Sequence, residues 1–203
     1  MRLAPLLFAA LLIASPAWAH EAHSRNGQST VNPASSAVHI GGPFTLTDTA
    51  GKPFTDKDLL GKFSFITFGF TFCPDICPTE LQGIQSALDL AGEDAAQKTN
   101  VVFITIDPAR DTAGRVGEFV RQFGNNITGL TGTPAQIAAV AKAYKIYYAK
   151  DTETDPGDDD YMMNHSSYIY LMGPDGKFIT VFASDTSPQA MADELQKQMA
   201  ARH

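Results

Sequence analysis

The sequence predicts an α/β fold in which helices flank a central mixed sheet and an N-terminal hairpin precedes it. Two segments, residues 63–70 and 101–106, are almost continuously apolar, as are strands buried on both faces of a parallel sheet. Apolar residues between and after these segments recur at intervals of three and four, which is the period of a helix packed against a sheet. Of the 203 residues, 44% are hydrophobic and 18% are charged, so the chain can bury a substantial core.

Residues 1–19 have the pattern of a secretory signal. Arg2 gives a short positive start, residues 3–14 are apolar, and Ala17 and Ala19 form a small-residue cleavage site. The apolar stretch is shorter than the roughly 20 residues that span a bilayer. We therefore expect a cleaved signal peptide, a mature chain without a membrane span and a periplasmic location, with an uncleaved membrane anchor as the weaker alternative. Residues 20–40 lack apolar periodicity, which predicts a flexible lead-in to one domain over 41–203.

The predicted elements of this domain follow one another at short intervals. Residues 44–47 and a partner near Phe54 form a hairpin, and the two apolar strands come next. Residues 168–172 and 178–182 form a second hairpin, and a helix closes the chain. A proline that follows a hydroxyl residue marks two helix starts, at Pro134 and Pro188. The helices carry their apolar residues at Leu81, Ile84 and Leu88; Val116, Phe119, Val120 and Phe123; Ile137, Val140, Ala141 and Tyr144; and Met191, Leu195 and Met199.

This order of elements predicts a thioredoxin-like fold. Right-handed crossovers make the two apolar strands parallel neighbours, so the loops that follow them leave the same edge of the sheet. The strand at 168–172 runs antiparallel to them and therefore begins at that edge. Four side chains from distant parts of the sequence are expected to converge there: Cys73, Cys77, Asp107 and His165.

The charge balance excludes nucleic acid as a partner. The chain has 15 Lys and Arg residues against 22 Asp and Glu residues, for a net charge of -7. A protein with this excess of acids repels a polyphosphate backbone.

Cys73 and Cys77 are the two cysteines of the chain, and three residues separate them. A disulfide between them closes so short a loop that it adds little stability, so chemistry explains the pair better than a structural bridge does. Pro78 places Cys77 at or just before a helix N-terminus, where the helix dipole favours a thiolate. Two such sulfurs are soft metal ligands and also a redox pair.

Histidine supplies the candidate for a third metal ligand. Four of the five histidines lie in terminal segments: His20, His23, His39 and His203. His165 alone lies beside a predicted strand at the edge where the cysteines are expected. Two cysteines and one histidine match a three-coordinate Cu(I) site, and they equally match a zinc site with an open water position.

Two polar segments near this edge each allow two interpretations. Residues 107–111 (DPARD) either surround the site as a second layer or form a turn closed by an internal pair between Arg110 and a carboxylate. Residues 151–160 (DTETDPGDDD) contain six acids and read as a solvated loop, or as a segment that steers a basic partner or weakly binds a hard cation. Met162 and Met163 are soft enough to touch copper, but core packing is the expectation for both.

Four segments resemble the Sco (SenC/PrrC) family of copper proteins, which serves assembly of the CuA centre of cytochrome c oxidase. They are residues 69–81 (GFTFCPDICPTEL), 105–112 (TIDPARDT), 130–134 (LTGTP) and 161–178 (YMMNHSSYIYLMGPDGKF). The resemblance implies a thioredoxin-like fold with insertions, and copper, as Cu(I), Cu(II) or both, held by Cys73, Cys77 and His165. It further implies two partners, a periplasmic copper donor and the copper-bearing subunit of the oxidase.

The sequence departs from the family pattern at two places. Family members usually carry a membrane anchor, whereas the leader here has the pattern of a cleavable signal. The residue before the implied ligand histidine is commonly Asp in the family and is Asn164 here. The loss of an anion near the metal is expected to weaken Cu(II) binding more than Cu(I) binding.

An enzymatic alternative is a thiol-disulfide oxidoreductase that reduces the cysteines of the oxidase copper site, or a thiol peroxidase. Thioredoxin-like enzymes place two residues between their cysteines and a cis-proline opposite them. This chain has three intervening residues and has Asn164, His165 and Ser166 where that proline is expected. The departure argues against a general turnover enzyme and leaves room for a dedicated reductant that uses Cys73 and Cys77.

Overall fold

The structure is a computed structural model that describes residues 39–151 and 161–202. The predicted signal over 1–19, nearly all of the lead-in over 20–40 and nearly all of the acidic run over 151–160 lie outside the described residues. So do His20, His23 and His203.

Nine strands and five α-helices make up the described part of the chain. The strands are β1 (Thr45–Asp48), β2 (Pro53–Thr55), β3 (Phe63–Gly69), β4 (Thr99–Thr105), β5 (Ile127–Thr131), β6 (Tyr148–Asp151), β7 (Met162–His165), β8 (Tyr168–Met172) and β9 (Phe178–Ala183). The helices are α1 (Ile76–Ala91), α2 (Glu93–Gln97), α3 (Ala113–Arg121), α4 (Pro134–Tyr144) and α5 (Pro188–Ala200), with a 3₁₀ turn at Asp56–Leu59.

The central sheet has seven strands in the order β2-β1-β5-β4-β3-β8-β9. The two apolar segments form β3 and β4, which pair in parallel from Phe63 opposite Thr99 to Gly69 opposite Thr105. β8 pairs with β3 antiparallel, as expected. Every residue of β3 is buried, which agrees with a strand that is covered on both faces. The predicted mixed sheet and its N-terminal hairpin are therefore confirmed.

The short helix α2 and two arrangements of strands were not predicted. β5 lies between β1 and β4 in the sheet and pairs with both of them. β6 and β7 form a separate antiparallel ribbon in which Tyr148 lies opposite His165. The ribbon places His165 directly before β8, at the edge of the sheet where β3 and β4 end.

The helix starts follow the proline signals, with one shift. The side chains of Thr133 and Ser187 cap α4 and α5 by accepting hydrogen bonds from backbone N–H groups three residues later. α1 begins at Ile76, two residues earlier than Pro78, so Cys77 is its second residue and not its boundary. Proline is tolerated in the first helical turn because its missing N–H has no partner there.

Within residues 39–151 and 161–202, no helix combines the length and the hydrophobicity that crossing a bilayer requires.

Candidate metal centre

The cysteine loop runs from the end of β3 into the first turn of α1. Its backbone turns where the N–H of Cys73 donates to the carbonyl of Phe70 at 3.1 Å. The sulfur of Cys73 then lies 3.4 Å from the backbone nitrogen of Cys77, in the first helical turn. Both thiols are free; Cys73 is half-buried and Cys77 is only 1% exposed. The loop therefore presents one accessible sulfur beside one buried sulfur.

Gly69 makes room for the buried sulfur. A Cβ at this last position of β3 would lie 2.5 Å from the Cys77 sulfur and 3.0 Å from the ring of Phe103. Such distances are far below van der Waals contact, so the strand must end in glycine for the Cys77 side chain to reach the sheet edge.

His165 meets Cys77 across 88 positions of sequence, with its Nε2 3.8 Å from the Cys77 sulfur. The Nδ1 of the same ring lies 3.0 Å from the carbonyl oxygen of Ser166. Because a carbonyl can only accept, Nδ1 carries the hydrogen and the neutral ring has its lone pair on Nε2, toward the sulfur. Phe70 packs against the imidazole edge-on, at 6.0 Å between ring centroids, and holds its orientation.

The two thiols are electrostatically unequal. A hydrogen bond with the Cys77 side chain is the main cause that lowers the pKa of Cys73, to about 4, and His165 adds to the effect. The same bond, with burial, raises the pKa of Cys77 above its ordinary value. Burial lowers the pKa of His165, but hydrogen bonds with Cys73 and the Ser166 carbonyl outweigh it and leave the pKa raised. At neutral pH the two cysteines therefore hold one proton between them, and the negative charge lies on Cys73.

Glu80 lies behind the cysteines on α1 and was not identified from the sequence. Its side chain is 1% exposed, and the hydroxyl of Thr67 donates to one carboxylate oxygen. The other oxygen has no hydrogen-bond partner among the described residues. Burial raises the pKa of Glu80 to about 7. The available signal was its spacing of three from Cys77, which places both on one helix face.

The three candidate ligands fit a soft ion in part. A trigonal ion with bonds of about 2.3 Å to sulfur and about 2.0 Å to nitrogen holds these atoms roughly 3.7 Å apart. The Cys77 to His165 distance of 3.8 Å matches this requirement. However, no three His, Cys, Asp or Glu side chains in the described ranges are already arranged to hold a metal ion. The sulfur of Cys73, the half-buried thiol, lies beside this pair at the start of α1.

Asp107 lies at the same edge, but its carboxylate is bound elsewhere. Tyr161 donates its hydroxyl to one oxygen at 2.7 Å, and Arg110 contacts the other through Nε at 2.6 Å. Neither oxygen hydrogen-bonds to Cys73, Cys77 or His165. For Asp107, these contacts favour the turn closed by an internal ion pair over a direct role around the site.

Arg110 also joins the two halves of the site. Its guanidinium lies 3.5 Å from the ring centroid of Tyr161, just before β7, and 4.4 Å from that of Phe72 in the cysteine loop. Stacking of a cation between two aromatic faces is favourable, so Arg110 connects the loop of Cys73 to the ribbon of His165.

The remaining candidates lie away from the sulfurs. His39 is exposed and lines a cleft with Met172, at the opposite end of β8 from His165. Met163 packs against the core as expected, whereas Met162 is exposed and corrects that expectation, because neighbouring strand residues face opposite sides. By the same alternation Asn164 is exposed on the face of β7 away from His165.

The fold is thioredoxin-like, and two thiols and an imidazole lie at the edge where its central parallel strands end. These features define a dithiol protein whose donor atoms suit a soft metal ion. Comparison with known proteins specifies the family. Residues 32–200 match the family model SCO1/SenC, and the chain belongs to the SCO1/SenC family.

Three related proteins illustrate the likeness. SenC of Rhodobacter capsulatus is 40% identical over 161 residues, which are 79% of this chain and 71% of that protein. The crystal structure of Arabidopsis thaliana ScoI with copper bound has a TM-score of 0.74 and 40% identity, and the match covers 80% of this chain and 99% of that one. The structure of Bradyrhizobium japonicum ScoI with copper bound has a TM-score of 0.70 and 44% identity, and the match covers 78% of this chain and 98% of that one. The chain spans between 49% and 58% of the length of the mitochondrial and yeast relatives it matches.

Proposed function

We propose that this protein is a periplasmic copper metallochaperone. It binds one copper ion through Cys73, Cys77 and His165 and assists assembly of the CuA centre of cytochrome c oxidase. The observation that carries the proposal is the meeting of the His165 Nε2 with the Cys77 sulfur at 3.8 Å, beside a second free thiol. Membership of the SCO1/SenC family and the copper bound by two related proteins support copper as the ion.

The donor set suits Cu(I) and tolerates Cu(II). Two thiolates and a neutral imidazole give a net charge of -1 with Cu(I) and of zero with Cu(II). Thiolate sulfur favours the soft Cu(I) ion, and three ligands satisfy its low coordination number. Because zinc accepts the same ligands, copper loading must be measured against zinc loading.

Unequal exposure of the sulfurs gives the order of transfer. The accessible Cys73 thiolate binds the incoming ion first, and Cys77 then loses its proton to solvent as its sulfur joins. On delivery, a sulfur of the acceptor forms a bond to copper as the bond to Cys73 breaks, so the ion passes by ligand exchange. The acceptor is the copper-bearing subunit of the oxidase, and a periplasmic protein supplies the ion.

Replacement of His165 by alanine tests the ligand set, with His39→Ala as the matched control. Copper and zinc per protein are counted after anaerobic loading with Cu(I), and affinity is measured by competition with a chromophoric chelator. We expect His165→Ala to weaken copper binding at least tenfold and shift the Cu(II)-thiolate absorption band, with His39→Ala unchanged. Unchanged affinity and spectrum in His165→Ala would remove the imidazole from the site.

Delivery and location need their own measurements. Copper-loaded protein is mixed with the copper-free CuA domain of the oxidase subunit, and the appearance of the CuA absorption spectrum is followed. Failure of the domain to gain copper from a loaded chaperone contradicts the delivery role. A mature N-terminus at His20 in protein from the periplasmic fraction supports cleavage after Ala19, and an intact leader contradicts it.

A dedicated thiol reductant is the second candidate, favoured by the unequal pKa values of the two thiols. The Cys73 thiolate would attack an acceptor disulfide, forming a mixed disulfide and releasing one acceptor thiolate. Cys77 would then give up its proton and attack Cys73, which leaves a Cys73–Cys77 disulfide and a fully reduced acceptor. Rapid disulfide turnover by the copper-free protein, unaffected by His165→Ala, would favour this function over the chaperone.

A further inference from the structure

Asp111 is a fully buried carboxylate that no step of metal binding uses. It lies between β4 and α3, is 0% exposed, and accepts three hydrogen bonds. The hydroxyl of Thr71 donates to Oδ1 at 2.6 Å, and the backbone N–H of Thr71 donates to Oδ2 at 3.0 Å. The hydroxyl of Thr105, at the end of β4, donates to Oδ2 at 2.5 Å. The carboxylate is thus bound from two strand ends at once.

Thr71 is the residue through which this carboxylate reaches the cysteine loop. It follows the end of β3 and precedes Cys73 by two residues. Both its backbone donor and its side-chain donor go to Asp111, so two bonds fix its position and its direction. Hydrogen bonds to a buried carboxylate are stronger than those between neutral groups.

The backbone of Asp111 is held on the opposite side. Its carbonyl accepts from the hydroxyl of Thr131 on β5 at 2.7 Å, and its N–H donates to the carbonyl of Asp107 at 2.9 Å. Thr105 and Thr131 thus anchor Asp111 to the sheet. The two bonds from Thr71 join it to the cysteine loop. Substitution of Thr71 and substitution of Thr131 therefore test the two connections separately.

We propose that Asp111 is a positioning residue of the metal site: it fixes Thr71, and through Thr71 it sets the sulfur of Cys73 relative to Cys77 and His165. The loop after β3 carries Cys73, the more exposed of the two thiols, whose sulfur lies 3.4 Å from the backbone nitrogen of Cys77. A loop tied at its start has fewer conformations to lose when the ion binds, which strengthens binding. The measurement of copper affinity depends on the proposed function, whereas the measurement of loop exchange does not.

The test uses Thr71→Val, because removal of Asp111 itself risks unfolding the protein. Valine has the shape of threonine and keeps the backbone N–H, so it removes one hydrogen bond to the carboxylate. Thr71→Ser restores the hydroxyl and serves as the conservative rescue. Thr131→Val removes the bond on the sheet side and is the matched control for general loss of stability. All variants are made in the full chain, and unfolding by urea gives the stability of each.

Two readouts are measured on each variant. Affinity for Cu(I), by competition with a chromophoric chelator, should fall about tenfold in Thr71→Val, return toward the original value in Thr71→Ser, and change less than about twofold in Thr131→Val. Hydrogen–deuterium exchange of the copper-free protein should quicken over the cysteine loop in Thr71→Val alone.

Each outcome decides for or against the positioning role. Equal copper affinity in Thr71→Val and the unaltered protein overturns it, whatever the exchange shows. An equal loss of affinity in Thr131→Val, with an equal loss of stability and unchanged exchange over the cysteine loop, also overturns it, because the cause would then be general instability. If the unaltered protein fails to bind copper, the proposed function falls, and exchange over the loop still separates Thr71→Val from Thr131→Val.

Discussion

Replacement of Gly69 by alanine would push a methyl group against the sulfur of Cys77. The added carbon would be 2.5 Å from that sulfur and 3.2 Å from the Cys77 Cβ. Relief of the overlap requires the first turn of α1 to move by about 1 Å, since nonbonded carbon and sulfur atoms pack at about 3.5 to 4.0 Å. Such overpacking in a dense core costs roughly 1 to 3 kcal/mol of unfolding free energy.

The same displacement would separate the Cys77 sulfur from His165. We expect Gly69→Ala to lower the free energy of unfolding by this amount and weaken Cu(I) binding at least tenfold, because ligands about 1 Å out of place no longer share one ion. Urea unfolding and chelator competition measure the two effects.

Gly83→Ala provides the matched control for this substitution. Gly83 lies within α1, and its added carbon would be 3.5 Å from Met191, an ordinary contact. Alanine should therefore raise stability by up to about 1 kcal/mol through its better helix propensity and leave copper binding unchanged. A Gly69→Ala protein as stable as the original, with undiminished copper affinity, would refute the claim that Cys77 is held by close approach to β3.

Three further predictions follow from the charges around the site. Because the pKa of Cys73 is about 4, iodoacetamide should alkylate Cys73 at a nearly constant rate from about pH 5 to about pH 8, while Cys77 stays unmodified. Equal labelling of the two cysteines in peptide mass spectra would contradict this prediction. Because the pKa of Glu80 is raised, the folded protein keeps the Glu80 proton to a higher pH than the unfolded chain does, so stability should fall as pH rises from about 4.5 through about 7. Glu80→Gln should remove this fall, which amounts to roughly 3 kcal/mol of unfolding free energy. Urea midpoints of Glu80→Gln that vary with pH as in the original protein would contradict the prediction. Asn164→Asp should strengthen Cu(II) binding by less than about fivefold and Cu(I) binding still less, since the side chain is exposed; a larger gain for Cu(I) in metal titrations would contradict it.

The centre of the sheet could be predicted because the composition of its two parallel strands is distinctive. β3 and β4 are continuous apolar runs, and their parallel pairing follows from the handedness of crossovers. β5 gives no such signal, as it has five residues with a glycine at its centre. Gly129 is needed there because a Cβ would lie 2.6 Å from Val116 of α3, a contact that exists only after the helix has packed.

The ribbon of β6 and β7 could not be predicted for a different reason. Its residues, YAKD and MMNH, have neither strong alternation nor a short turn between them. What makes them strands is their mutual pairing, which is set by the tertiary structure. Local propensity carries little of that information.

At the candidate site, chain topology predicted that the cysteines and His165 lie together. The roles of the buried acids could not be predicted, because they depend on burial in the folded protein. Glu80 and Asp111 are ordinary acids in the sequence, and their roles arise because folding removes them from water. Asp107 looked equally promising by position. The partners that occupy its carboxylate, Tyr161 and Arg110, become visible only when distant segments meet.

The imidazole and the two sulfurs are carried by two different sheets of the molecule. Both cysteines follow β3, at the centre of the seven-stranded sheet, whereas His165 ends a strand that pairs only with β6 in the described chain. Arg110 bridges these two parts, since its guanidinium stacks on Tyr161 beside the ribbon and on Phe72 in the cysteine loop. The approach of the imidazole to the sulfurs therefore depends on side-chain packing and not on backbone pairing within one sheet.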